Sequence, residues 1–256
     1  MRTCLFFLAI RAVLSIALPV SAEAADNTPP PGFTALFNGK DLTGWKGLLK
    51  QPLDNPAVRA KLTPKELAEA QKEADDVMRN GWQVEGGVLS FNGKGRSLCT
   101  VKDYGDFEMY VDWKIGTRGD SGIYLRGAPQ VQIWDPFARP ALDGSEAGSG
   151  GLFNNEKNPK NPAKVADKPI GQWNTFYIKM VGDKVTVKLN GELVVDNVVL
   201  ENYWERGKPI DPTGQIELQN HGPVAPPGQT GPQKFGSTLW FKNIYLREIP
   251  RESGKK

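Results

Sequence analysis

After Gly81 the chain alternates apolar and polar residues with period two, stretch after stretch, and this is the pattern of half-buried β-strands. Phe107, Met109, Val111, Trp113 and Ile115 take every second place, while Glu108, Tyr110, Asp112 and Lys114 fill the others. Ile123 and Leu125 alternate with Tyr124 and Arg126, and Val131 and Ile133 alternate with Gln130, Gln132 and Trp134. Ile216 and Leu218 alternate with Glu217, Gln219 and His221. Gly86-Gly87 and Asn190-Gly191 sit between such runs, as hairpin turns require. Leu239, Trp240, Phe241, Ile244, Tyr245 and Leu246 are apolar on both faces, which predicts a central strand covered on both sides. About ten short strands without a βαβ rhythm predict an all-β fold, a sandwich of two antiparallel sheets of jelly-roll type.

One helix interrupts this pattern. Over residues 63–79, Thr63 and Glu66 spell a capping box, Pro64 suits the first helical position, and Leu67, Ala70, Ala74 and Val77 or Met78 form a thin apolar stripe. Asn80-Gly81 predicts its end. Residues 136–170 and 222–236 are rich in proline and glycine and predict long loops, of a length that in compact domains accompanies function or disorder.

The first 24 residues carry an early Arg2, an apolar stretch broken by Arg11, and small residues around Ala22 and Ala24. This predicts a signal peptide, and with it export to the periplasm or the exterior. Residues 25–31 then form a proline-rich leader, 32–249 a single domain, and 250–256 a tail. The full chain holds 32 basic and 29 acidic residues. Cleavage after Ala24 removes Arg2, Arg11 and Glu23, leaving 30 against 28, too even to point to nucleic acid or to an anionic membrane. Of two cysteines, Cys4 lies in the expected signal peptide, so Cys99 has no partner for an internal disulfide and reads as a buried small hydrophobe.

Gly32-Phe33-Thr34-Ala35-Leu36-Phe37-Asn38-Gly39-Lys40-Asp41-Leu42-Thr43-Gly44-Trp45 resembles the opening signature of the 3-keto-disaccharide hydrolase domain, a 3-keto-glucoside lyase- or hydratase-like family. Tyr104-Gly105-Asp106-Phe107-Glu108, Asp120-Ser121-Gly122-Ile123-Tyr124-Leu125-Arg126, Val131-Gln132-Ile133-Trp134-Asp135 and Gly171-Gln172-Trp173-Asn174 follow in order. Leu189-Asn190-Gly191, Gly214-Gln215-Ile216-Glu217-Leu218-Gln219-Asn220-His221-Gly222 and Phe241-Lys242-Asn243-Ile244 complete the series over residues 32–249. The resemblance implies a concanavalin A-like jelly roll, bacterial export, and action on sugars oxidised at C3, with a sugar 3-dehydrogenase upstream. The chain departs from the pattern in its helix and in Gly150-Gly151-Leu152-Phe153, where a glycine–tyrosine pattern is expected.

If the alternating strands are neighbours, their polar sides line one face. A 3-keto group makes the C2 hydrogen acidic, so cleavage by elimination and rehydration needs a base, an enolate stabiliser and a leaving-group acid. His221, the sole histidine, is the first choice for base or metal ligand, and Glu217 is the alternative base or second ligand. Arg126 would hold the enolate oxygen, and Asp112 and Asp135 would orient Arg126 or ligate a cation. Tyr124, Gln132, Trp134, Asp135 and Gln219 would bind the sugar by stacking and hydrogen bonds. A divalent cation on His221, Glu217 and Asp135 would suit these donors without being required. A carbohydrate-binding domain without catalysis, or a merely solvated sheet face with pairs such as Asp112 and Arg126, carries the same alternation.

Overall fold

Two antiparallel sheets pack face to face in a computed structural model that describes residues 26–127, 129–138, 144–220 and 238–251. Strands β1 (Thr34–Ala35) and β2 (Trp45–Gly47) precede a helical insertion of α1 (Pro56–Arg59) and α2 (Pro64–Gly81). Then come β3 (Trp82–Glu85), β4 (Val88–Phe91), β5 (Leu98–Thr100), β6 (Phe107–Ile115), β7 (Asp120–Tyr124) and β8 (Gln130–Trp134). After a 3-10 turn (Ser145–Ala147) follow β9 (Asn174–Val181), β10 (Lys184–Leu189), β11 (Glu192–Val199), β12 (Glu217–Leu218) and β13 (Leu239–Glu248). The large sheet runs β11-β10-β9-β6-β13-β4-β3 with β1 on β13, and the small sheet runs β2-β5-β12-β7-β8.

The core is the apolar half of each alternation. Phe107, Met109, Val111, Trp113 and Ile115 of the large sheet and Ile123, Val131, Ile133 and Leu218 of the small one are all buried. Fully burying one such side chain stabilises by about 1.5–3 kcal/mol, which fixes the register, since a slip by one residue would turn each strand inside out.

Strand β13 is central, as expected, but it is not covered on both sides. Its pairing with β6 shifts register between Lys242 and Tyr245, and Asn243 has φ 51°. The bulge flips the parity, so that Leu239 and Phe241 before it and Ile244 and Leu246 after it all enter the core. The near-continuous apolar run records that bulge. The long segment after Pro136 also acquires a role: Gly150 donates to Gln132 O and Gln132 donates to Gly151 O, at 2.8 and 2.9 Å, so it protects the free edge of β8.

Helix α2 has the expected capping box, Thr63 accepting from Glu66 N–H while the Glu66 carboxylate accepts from Thr63 N–H. It ends at Asn80-Gly81, as expected, and passes directly into β3 without an intervening loop. Gly81 is needed there for close approach, since a Cβ would lie 2.0 Å from Lys94 O. The insertion also contains α1, capped by Asn55, which is too short to show periodicity. The expectation of one helix is corrected accordingly.

Candidate functional site

The register of the small sheet sets Lys46, Cys99, Glu217, Tyr124 and Gln130 in a single row, each opposite the next. Their strand neighbours Ile123, Val131 and Leu218 point into the core, so this row faces away from the large sheet. One step along, Gly122 lies opposite Gln132, and Gln219 donates its N–H to Gly122 O at 2.9 Å.

Glu217 is only 7 % exposed. Burial pushes its carboxyl up to about 7; the Ser97 hydroxyl, which hydrogen-bonds it, opposes this, Asp54 adds to it, and Arg59 opposes it. Ser97 Oγ also accepts from Asn220 N–H at 3.1 Å, tying the carboxyl to the end of its own strand. Directly opposite, the Tyr124 phenol is pushed well up, first by burial and then by Glu217, so it stays protonated as a donor. Gln219 Nε2 donates to the Tyr124 hydroxyl at 3.4 Å. Gln219 Oε1 finds no donor among the described residues. Cys99, in the same row, is buried, and burial followed by Glu217 pushes its thiol well up, so it is a packed thiol and not a nucleophile.

On this face a cleft of about 870 Å³ opens beneath α1 and α2, with Lys46, Arg59, Gln71, Arg126 and Gln215 among its walls, while Glu217, Tyr124 and Gln219 are not among them. That volume is ample for a small sugar. Lys46 belongs to the Glu217 row, and Arg59 bears on both Glu217 and the cleft.

The remaining expected residues part company. Arg126 follows β7 with φ 55°, and that turn takes its side chain off the polar face. Its guanidinium is 3 % exposed, donates to Gly105 O and Gly182 O at 2.7 Å each, and pairs with Asp106. Its hydrogen bonds are those of a buried structural cation, although the residue also lines the cleft. Asp112 lies on the outer face of the large sheet, where it accepts from Thr175 Oγ1 at 2.6 Å and Asn243 Nδ2 at 2.7 Å, on the opposite side of the sandwich. It can neither orient nor pair with Arg126. Asp135 is buried at the end of β8, with one oxygen accepting Arg118 N–H at 2.8 Å and the other Phe137 N–H at 2.9 Å. It caps a turn and offers no open ligand position.

Trp134 is buried, its indole N–H donating to Gly148 O at 2.8 Å and its ring edge-on to Phe153, so it presents no stacking platform. Gln132 is saturated: Nε2 donates to Asp120 Oδ1 and Ser121 O at 2.7 and 3.0 Å, and Oε1 accepts from Gln130 at 2.6 Å. Gly122 makes room for this network, since a Cβ there would lie 2.2 Å from Gln130 Oε1. Of the expected set, Glu217, Tyr124 and Gln219 come together. His221 lies outside the described residues, directly after Asn220. Among the described residues no three His, Cys, Asp or Glu side chains form a metal-holding group.

Sequence reasoning missed Ser97, Asp54 and Arg59. Ser97 shares the parity of Cys99 two residues on, a signal hidden by the brevity of β5. Asp54 and Arg59 lie in the insertion, where no periodicity points to the sheet.

A profile of the 3-keto-alpha-glucoside-1,2-lyase-like domain matches residues 32–247. A 3-keto-disaccharide hydrolase of Bacteroides thetaiotaomicron is 24% identical over 275 residues, spanning 92% of this chain and 82% of that one. A crystal structure of a candidate glycosyl hydrolase from Parabacteroides distasonis superposes with a TM-score of 0.62 at 26% identity, covering 88% of this chain and all of that one. A second from the same organism gives 0.60 at 23% identity, covering 92% and 94%, and shows the same fold. The protein is therefore glycosyl-hydrolase-like, and the chain belongs to the family of 3-keto-alpha-glucoside-1,2-lyase-like domains.

Proposed function

We propose that this protein is an exported enzyme that cleaves 3-keto-glycosides by elimination and rehydration, with Glu217 as the base. The single observation that carries the assignment is the buried Glu217 carboxyl, poised at about 7 beside a protonated Tyr124. Of the two bases the sequence offers, Glu217 therefore takes the proton, and His221 becomes the donor to the leaving group. The Glu217 carboxylate removes the C2 hydrogen, and the electron pair moves toward the 3-keto oxygen, where Tyr124 O–H supports the enolate. The C1–O bond then breaks, its electrons leave on the aglycone oxygen, and that oxygen gains a proton from His221. Water adds to the enone, its hydroxyl going to C1 and its other proton to His221, while the proton held by Glu217 returns to C2. The net change is hydrolysis, with the 3-keto group unaltered. Gln219, whose buried amide oxygen finds no donor among the described residues, would receive a sugar hydroxyl. The substrate must come from an oxidoreductase that oxidises the C3 hydroxyl of a glycoside.

The test is incubation of the purified mature protein with α- and β-linked 3-keto-disaccharides and with their unoxidised parents. Release of 3-keto-glucose from an oxidised form alone is expected. Inactivity toward both linkages overturns the proposal, and tight binding without turnover would point to a carbohydrate-binding domain. Dialysis against a chelator separates a metal-assisted route from a purely side-chain one.

A further inference from the structure

The outer face of the large sheet, opposite the Glu217 row, carries a second concavity. It has a volume of about 450 Å³ and its walls include Phe33, Glu108, Tyr110, Thr175, Tyr177 and Arg247. Cross-strand register builds it: Tyr110 of β6 lies opposite Tyr177 of β9, and Tyr177 lies opposite Lys188 of β10. The three rings follow one another, with centroids 5.3 Å apart from Phe33 to Tyr110 and 5.2 Å from Tyr110 to Tyr177, at interplanar angles of 53° and 50°.

These rings are half-buried and held in place. The Arg247 guanidinium lies 4.8 Å from the centre of the Phe33 ring, and Lys188 Nζ lies 6.0 Å from that of Tyr177. Glu108 is fixed by Arg247, whose Nε donates at 3.2 Å, by Lys179 at 3.7 Å, and by a hydrogen bond from Tyr177. An ordinary solvated sheet face needs neither a concavity nor a carboxylate anchored at its wall. Aromatic planes beside cationic donors are what the apolar C–H faces and the hydroxyls of a pyranose require, and Glu108, already engaged by Arg247, Lys179 and Tyr177, fixes the wall on which they stand. Rings already immobilised by their neighbours lose little freedom on binding.

We infer that this aromatic concavity of Phe33, Tyr110 and Tyr177 is a second carbohydrate-binding site, which takes the pyranose units of a glycan chain on the side of the sandwich remote from Glu217. It would hold the protein on a polymer while the other face acts on small glycosides. The inference stands on this face alone and does not depend on the reaction proposed for Glu217.

The test is calorimetric titration of the mature protein with maltohexaose, cellohexaose and a uronate oligomer, beside Tyr177→Ala, Phe33→Ala and Tyr177→Phe. Binding of at least one oligosaccharide is expected. Tyr177→Ala and Phe33→Ala should each weaken it about tenfold, the scale of one lost ring contact. Tyr177→Phe keeps the ring and should stay within about threefold. Turnover of a small 3-keto-disaccharide should be unchanged in all three. Should Tyr177→Ala fail to fold, Phe33→Ala, which lies outside the strands, decides the question. Binding that survives both alanine changes, or no binding to any of the three oligomers, overturns the inference. Binding lost together with a fall in turnover would place the glycan at the Glu217 face and overturn it as well.

Discussion

Replacing Glu217 with glutamine should make the protein more stable at alkaline pH. The carboxyl is held at about 7, against an ordinary glutamate value of 4.5, chiefly because burial penalises its charged form. The folded chain therefore keeps this proton between pH 4.5 and about 7 while the unfolded chain has lost it. The cost is absent below pH 4.5, grows as pH rises through the window, and is complete above about 7. At about 1.4 kcal/mol per pH unit, it reaches about 3 kcal/mol. Glu217→Gln keeps shape and hydrogen-bonding capacity without the charge. Urea denaturation followed by tryptophan fluorescence should find the two proteins within about 1 kcal/mol of each other near pH 4.5, and the variant about 3 kcal/mol more stable near pH 8. A difference that does not change with pH, or a variant less stable than wild type at pH 8, would refute this reasoning. Such a stabilised variant without activity is the expected signature of a charge kept for chemistry.

Other consequences are sharp enough to measure. Tyr124→Phe removes the proposed enolate donor and should lower kcat about 10²-fold or more while leaving the circular dichroism spectrum unchanged. Arg126→Ala should cost about 3 kcal/mol in denaturation, because it removes the buried partner of Asp106, leaving that carboxylate only Arg251 and the Gly182 N–H, and strips Gly105 O and Gly182 O of their donor; wild-type stability with lost activity would restore Arg126 to the site. Asp112→Asn, on the far face, should change kcat/KM less than twofold at constant temperature, and a large loss would mean that the two faces are coupled. Gly122→Ala drives a methyl group into Gln130 Oε1 and should lower Tm by several degrees, as seen by scanning calorimetry.

Much of the fold was legible because period-two alternation is set by burial, which acts over every strand. The capping box of α2 was legible for a similar reason, being a local exchange of two hydrogen bonds. The site was legible only in part. Glu217, Tyr124 and Gln219 share parity on paired strands, and parity can be counted along a chain. Arg126 shares the parity of Tyr124 as well, yet its positive φ ends the strand and redirects the side chain; Gly127 and Pro129 announce a turn, but not that it begins at Arg126. Asp112 alternates as well as any of them, but alternation does not say which sheet a strand joins. Trp134 and Asp135 lie at the end of β8, where the segment after Pro136 folds back and covers them. The apolar run of β13 suggested two covered faces because a bulge and a doubly buried strand leave the same trace in a sequence.

The central claim is that Glu217 removes the C2 hydrogen of a 3-keto-glycoside. The most direct measurement is kcat/KM for release of 3-keto-glucose across about pH 5 to 9, for wild type and Glu217→Gln, with C2-protiated and C2-deuterated substrate. Wild-type activity should rise to a plateau through an apparent pKa near 7, be slowed by deuterium, and fall about 10²–10⁴-fold in the variant. A variant that keeps wild-type activity and the same pH rise would contradict the claim and move the base to another residue.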